Sequence, residues 1–348
     1  MAIKKIFRGL ALYFLSAGLF FMLLTLAYFI AFTQVTAKPD TVKDILRGSG
    51  IYRKVPSVVY DQSVRSNSNS KADIPLKSPI VRSAAMDAFT PEFVQNNIEN
   101  AIDGVYGWLQ GDKSQPEFKI ETGSVRKRFA DSLSRRVATR LKKLPVCTAG
   151  QMQTPSQINP YTAACLPAGT DADAYARDIR QAAGSKKFIK DIDFSPSSLK
   201  DPGGNQLVGN ASKLPEAYQA ALNLPYILAG LALVLGAAVV YVSRTRSDGF
   251  KKLSLTLGVA GIFALMIPFG FRTVTDTYLK SASNSTVVTE LAGPVLKEFN
   301  KNTAKVYYVT GGAYLVLSVA AFYVHMRIEG IDPKSINWKR KADKVKKK

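Results

Sequence analysis

Cys147 and Cys165 are the only cysteines in the chain, and they sit in matching frames, Leu144-Pro145-Val146-Cys147 and Cys165-Leu166-Pro167. Between them lies a polar, turn-rich stretch with no core of its own. Redox chemistry favours the close C-x-x-C spacing, and structural zinc needs four ligands, more than two cysteines supply. A disulfide is the chemistry this pair suits, and disulfides persist in oxidising compartments.

The remaining candidates are few. The one histidine, His325, lies near the end of the last apolar run, where the sequence suits a headgroup position beside Tyr323 and Arg327. No histidine lies near the cysteines, so Ser-His-Asp and Cys-His arrangements are excluded there. Two carboxylate pairs, Asp171/Asp173 and Asp191/Asp193, are spaced to share a face if extended. Two carboxylates fall short of the six to eight oxygens that calcium takes, and Asp173 suits a helix start. No phosphate loop or dinucleotide fingerprint is present, so neither a catalytic residue, a cofactor nor a metal is assigned. A Ser-Lys nucleophile has no distinguishing motif here. One stretch does stand out by charge. Arg126, Lys127, Arg128, Arg135, Arg136, Arg140, Lys142 and Lys143 crowd one segment with Asp131 as its only acid. Such a face either meets water or binds an anionic polymer, a lipid headgroup or an acidic protein.

These residues must be positioned by something, and the apolar residues show by what. Residues 10–32, 224–242, 253–271 and 306–326 carry no charge. A hydrocarbon core of about 30 Å needs about 20 such residues. The predicted fold class is an α-helical polytopic membrane protein with four transmembrane helices. A mainly α extracytoplasmic domain, with room for a small α+β part, lies between the first and second. Its segments are a cytoplasmic N-terminus 1–9, span 10–32, extracytoplasmic domain 33–223, span 224–243, cytoplasmic loop 244–252, span 253–271, short extracytoplasmic loop 272–305, span 306–326 and basic cytoplasmic tail 327–348.

The orientation follows from flanking Lys and Arg, which favour the cytoplasm. Lys4, Lys5 and Arg8 precede span one, Arg244, Arg246, Lys251 and Lys252 lie between spans two and three, and the tail is lysine-rich. All three fall on one side only with four spans. The run Val35-Thr36-Ala37 resembles a cleavage site, but the apolar run before it exceeds the 7–15 residues of a signal peptide. An uncleaved anchor in a plasma membrane is therefore expected.

The net charge is +21. In the tail, Trp338, Lys339, Arg340, Lys341 and Lys344 are expected to contact inner-leaflet lipid, each cation contributing about 1 kcal/mol. Nucleic acid is not an expected partner. The expected partners are membrane lipid and other envelope proteins or a second copy of the chain.

Within 33–223 the patterning is helical. Val94, Ile98, Ala101, Ile102, Val105 and Leu109 make one face, with Thr90 as N-cap and Gly111 as stop. Val125, Phe129, Leu133, Val137, Leu141 and Leu144 make a second, which Pro145 ends. Glu117–Glu121 alternates like a short strand, Asp173–Ala183 reads as a helix, Pro56 as a helix start, Ile80–Phe89 as turns and Phe194–Asn210 as an irregular linker. The spans lack mid-membrane charge, which argues against a coupled transporter. Small residues four apart, Ala232/Gly236, Ser254/Gly258 and Ala260/Ala264, allow close helix contact within the chain or with a copy.

The order of one span, a large outer domain and three further spans is similar in topology to the mechanotransmission ABC permeases. That likeness implies a separate cytoplasmic ATPase. The short predicted cytoplasmic segments offer little surface for one. The absence of a catalytic set favours a binding, scaffold or assembly role in the cell envelope, with the permease-like subunit and an envelope-acting membrane enzyme as alternatives.

Overall fold

The computed structural model describes residues 2–66, 74–121, 123–148, 158–185, 193–194, 213–281 and 288–330. It is almost entirely helical, and four of its helices are long and apolar enough to cross a membrane, over 7–36, 214–242, 246–281 and 289–328. The chain is therefore a multi-pass membrane protein. Two compact units divide it: a membrane unit of 1–45, 216–281 and 296–348, and an inter-span unit of 46–215 and 282–295.

The membrane unit is built from α1 (Ala2–Ala31), α8 (Leu214–Val242), α9 (Arg246–Ser281) and α10 (Gly293–Ile328). A π-helical turn, Phe32–Thr36, continues α1. Leu19, Leu23, Ala27, Leu257, Ala260, Ala264, Tyr307 and Tyr314 form its core. The small residues of α9 act within the chain. A Cβ on Gly261 would stand 3.0 Å from the Gly311 carbonyl oxygen, and the Ser318 hydroxyl donates to the Ser254 carbonyl at 2.7 Å. The Tyr314 hydroxyl donates to the Leu23 carbonyl at 2.9 Å, and the Tyr218 hydroxyl to that of Ala37 at 2.6 Å. A hydroxyl buried among apolar side chains needs an acceptor, and a backbone carbonyl has a second lone pair to offer.

The predicted loop between spans two and three is mostly helix, leaving a three-residue link, Ser243–Thr245. The Arg8 guanidinium closes it by donating to the Val242 and Ser243 carbonyls. A cation at a helix C-terminus also suits the dipole. His325, three residues from the end of α10, is covered by a neighbouring helix. It is 7% exposed, with Nδ1 2.6 Å from the Ser247 hydroxyl, which donates to Glu329 at 2.8 Å. The short link brings Ser247 against α10 and covers the ring, while Arg327 stacks on Tyr323 instead.

The inter-span unit holds α3 (Ile51–Ser66), α4 (Pro79–Ala88), α5 (Pro91–Leu109), α6 (Gly123–Leu141) and α7 (Ala172–Ala183). A short helix, α2 (Pro39–Ser49), precedes α3 and ends at Gly50, whose φ of 68° suits glycine. A second π-helical turn, Val288–Ala292, packs on α3. The predicted stripe on α6 is the centre of the core. Val125, Leu133, Val137 and Leu141 are fully buried with Phe129, against α4 and α7. Each such side chain contributes about 1.5–3 kcal/mol by burial.

Helix α5 starts and stops as its residues dictate: the Thr90 hydroxyl accepts from the Phe93 N–H at 3.2 Å, and Gly111 takes a φ of 87°. Three expectations need correction. Ile80–Ala88 is helical and Phe89 caps it, with Val81, Ala84, Ala85 and Ala88 buried on one face. Pro56 is the sixth residue of α3 rather than its start, so the helix runs through it without the backbone bond its N–H would have made to the Tyr52 carbonyl. The strand is only Ile120–Glu121, and it pairs antiparallel with Asp193–Phe194, where an irregular linker was expected to begin.

Candidate functional site

Because one face of α6 is fully apolar, its charged residues are forced onto the rest of the circumference. The structure sorts them by task. Arg128 lies over the Phe93 ring at 5.0 Å, a cation–π contact. Arg136 donates to the Asp87 carboxylate at 2.7 and 3.1 Å, and the Ser132 hydroxyl donates to the same oxygen at 2.6 Å. Burial opposes ionisation of Asp87, but these donors outweigh it and hold its carboxyl below the usual range. Arg140 reaches the Pro160 and Ala163 carbonyls at 3.2 and 2.9 Å. Lys142 pairs with Asp173 at 2.8 Å. Arg126 is half-buried, and Lys127, Arg135 and Lys143 are exposed.

Four of the eight converge. Arg135, Arg136, Arg140 and Lys143 line one side of an open groove of about 740 Å³, with Thr139 and Leu144; Pro79, Ile80 and Ser83 of α4 form the other side. Residues 135, 136, 139, 140 and 143 repeat at the three- and four-residue spacing that places side chains on one helix face. Arg126, Lys127 and Arg128 lie two to three turns earlier, and Lys142 faces α7; none of them lines the groove.

The disulfide supports this wall. Cys147 and Cys165 are bonded, with Cα atoms 5.0 Å apart. Beside the bond, the Cys147 N–H donates to the Leu166 carbonyl at 3.0 Å, and the Leu166 N–H to that of Pro145 at 2.9 Å. The closed loop contains Pro160 and Ala163, whose carbonyls fix Arg140.

The first carboxylate pair is a helix cap. Asp171 accepts from the Asp173 N–H at 2.8 Å, and that bond, with a further backbone N–H and Arg177, holds its carboxyl below the usual range. Asp191 lies outside the described residues, and only the backbone of Asp193 is described. Among the described residues, no three of His, Cys, Asp and Glu gather at metal-binding distance. Trp338, Lys339, Arg340, Lys341 and Lys344 lie outside the described residues.

Sequence reasoning missed the second wall, because Ile80–Phe89 was read as turns. Val81, Ala84, Ala85 and Ala88 follow i, i+3, i+4, i+7 behind Ser78-Pro79, which was signal enough. No protein-family model matches the chain, and neither a curated protein nor a solved structure is found to be similar to it.

Proposed function

We infer that this is a membrane protein of the cell envelope with a binding or assembly role, and that its inter-span unit holds an extended anionic polymer in the groove of α6. One observation carries the reading: four cations rim a single open groove, and two of them, Arg136 and Arg140, are fixed by Asp87 and by the loop carbonyls. Prefixed cations lose less freedom on binding. The unit lies outside the cytoplasm and both termini inside a plasma membrane. The disulfide and the placement of the basic segments support that orientation. The three-residue link between α8 and α9 supports it over the permease-like reading, since it offers an ATPase almost nothing to dock on.

The test uses the Arg135→Glu, Lys143→Glu double variant, which leaves Arg136 and Arg140 at their structural posts. The full-length protein in mild detergent is titrated with polyphosphate at low and physiological salt. Salt-dependent binding that falls at least tenfold in the variant supports the reading. Equal binding by parent and variant, or none by the parent, ends it.

A further inference from the structure

The four membrane helices do not close completely on one another. A cavity of about 1030 Å³ lies between α1, α8, α9 and α10, just above the roughly 300–1,000 Å³ typical of ligand pockets. Its walls are almost wholly apolar. Helix α8 turns Ala229, Ala232, Gly236 and Ala237 toward it, small residues that leave the space open, and Leu23 of α1 and Leu257 of α9 face them. In a bilayer the apolar material at hand to fill such a space is an acyl chain.

One end differs. Arg244 and Arg246, which flank the link between α8 and α9, line the cavity there. Both are exposed, and neither has an ion-pair or hydrogen-bond partner among the described residues. The neighbouring cation, Arg8, is already held by the Val242 and Ser243 carbonyls. Helix α9 begins at Arg246, so its N-terminal dipole adds positive potential at the same end. From Ala229 to the end of α8 at Val242 the cavity runs roughly 20 Å, at about 1.5 Å per residue, and Arg244 lies just beyond. One leaflet's acyl layer is about half of a 30 Å core, which leaves length for a headgroup at the arginines.

We propose that the membrane unit holds one anionic phospholipid of its own bilayer, with its acyl chains in this cavity and its phosphate at Arg244 and Arg246. Basic pockets between membrane helices recognise anionic headgroups in this way. The apolar walls hold the tails, and the two guanidinium groups select against a zwitterionic lipid. A lipid bound here fills the gap between the helices and raises the stability of the unit.

The test is made on the full-length protein purified in mild detergent. Native mass spectrometry counts retained phospholipid, and a thermal melt follows addition of phosphatidylglycerol, phosphatidylcholine or glycerol phosphate. The expected result is one retained anionic lipid and a melting temperature raised by phosphatidylglycerol alone. Arg244→Gln with Arg246→Gln should lower retention at least tenfold. Ala237→Leu, which fills the cavity from a residue exposed on its wall, should displace the lipid with both arginines intact, and Ala320→Leu repeats that from α10 should the first variant misfold. Retention that mirrors bulk lipid composition, or that survives both kinds of variant, would overturn the proposal. So would equal stabilisation by glycerol phosphate, which would mean an anion site without a tail site.

Discussion

Helix α5 contains two glycines one turn apart whose replacement by alanine should act in opposite directions. Gly104 is buried against the backbone of Glu117: a Cβ there would stand 2.0 Å from the Glu117 carbonyl oxygen and 2.8 Å from its carbon. Restoring an ordinary contact of about 3.4 Å means moving backbone by more than an ångström, and overpacking of this kind costs about 1–3 kcal/mol. At Gly107 a Cβ would meet only the Lys113 side chain at 3.7 Å. There alanine gains its helix preference over glycine, about 1 kcal/mol, with nothing against it. Gly104→Ala carries the same helix gain, so its expected net cost is about 0–2 kcal/mol. The helix gain cancels between them, so the two variants should differ by the overpacking cost, about 1–3 kcal/mol. Trp108, buried on the same helix, reports the unit by fluorescence once Trp338 is replaced by Phe. Urea unfolding of the full-length protein in detergent gives the midpoints. If Gly104→Ala is as stabilising as Gly107→Ala, the close approach of α5 to the Glu117 backbone is refuted.

Three further outcomes follow from the contacts. Replacing both Cys147 and Cys165 by Ser frees an 18-residue separation and should cost about 3 kcal/mol through unfolded-chain entropy, read as a lower urea midpoint. It should also weaken polyphosphate binding, because the loop fixes Arg140. In acid, Asp87 and Glu99 should destabilise the inter-span unit. The Arg47 hydrogen bonds at 2.8 and 2.5 Å hold the Glu99 carboxyl low, as Arg136 and Ser132 hold that of Asp87. Their folded values lie below the unfolded ones, so stability is full above about pH 5 and is lost as pH drops from there through the folded values. Asp87→Asn should flatten part of that slope in a urea titration across pH. Finally, Gly311→Leu should separate α9 from α10, since even a Cβ there would stand 2.9 Å from Leu265 Cγ. A lower melting temperature in detergent checks it, and an unchanged one would contradict the packing.

The four membrane helices were legible because hydrocarbon imposes a length and a composition that nothing else in the chain imitates. Helices α5 and α6 were legible because a soluble core needs a 3.6-residue stripe, and Thr90 and Gly111 mark the ends of α5; α6 stops at Leu141, a turn before the Pro145 expected to end it. The groove was only half legible. The cations of α6 can be counted in sequence, but which of them are engaged depends on Asp87, Pro160 and Ala163, which come from other elements. Phe194 was misread because a two-residue strand has no periodicity to show; it is held by Ile120 across a separation that local pattern cannot report. Gly104 gave no signal either, since its role is set by Glu117 arriving against it. The partner of His325 gave no signal for the same reason: only the tight link at Ser243–Thr245 brings Ser247 to cover it.

The Tyr314 hydroxyl and the Leu23 carbonyl are 291 residues apart in the chain. At about 5–20 residues per second, roughly 15–60 s pass between the synthesis of one and the other. Through that interval α1 must persist in the bilayer without its final neighbours, with the side chains of Leu19 and Leu23 against lipid. Its long uncharged run makes it a durable solitary helix before it becomes part of a bundle. The inter-span residues emerge during the same wait, so most of that unit can fold before the bundle closes. Slowing synthesis after the second span should lengthen the life of a half-built bundle, and that intermediate would be the form most open to a quality-control protease.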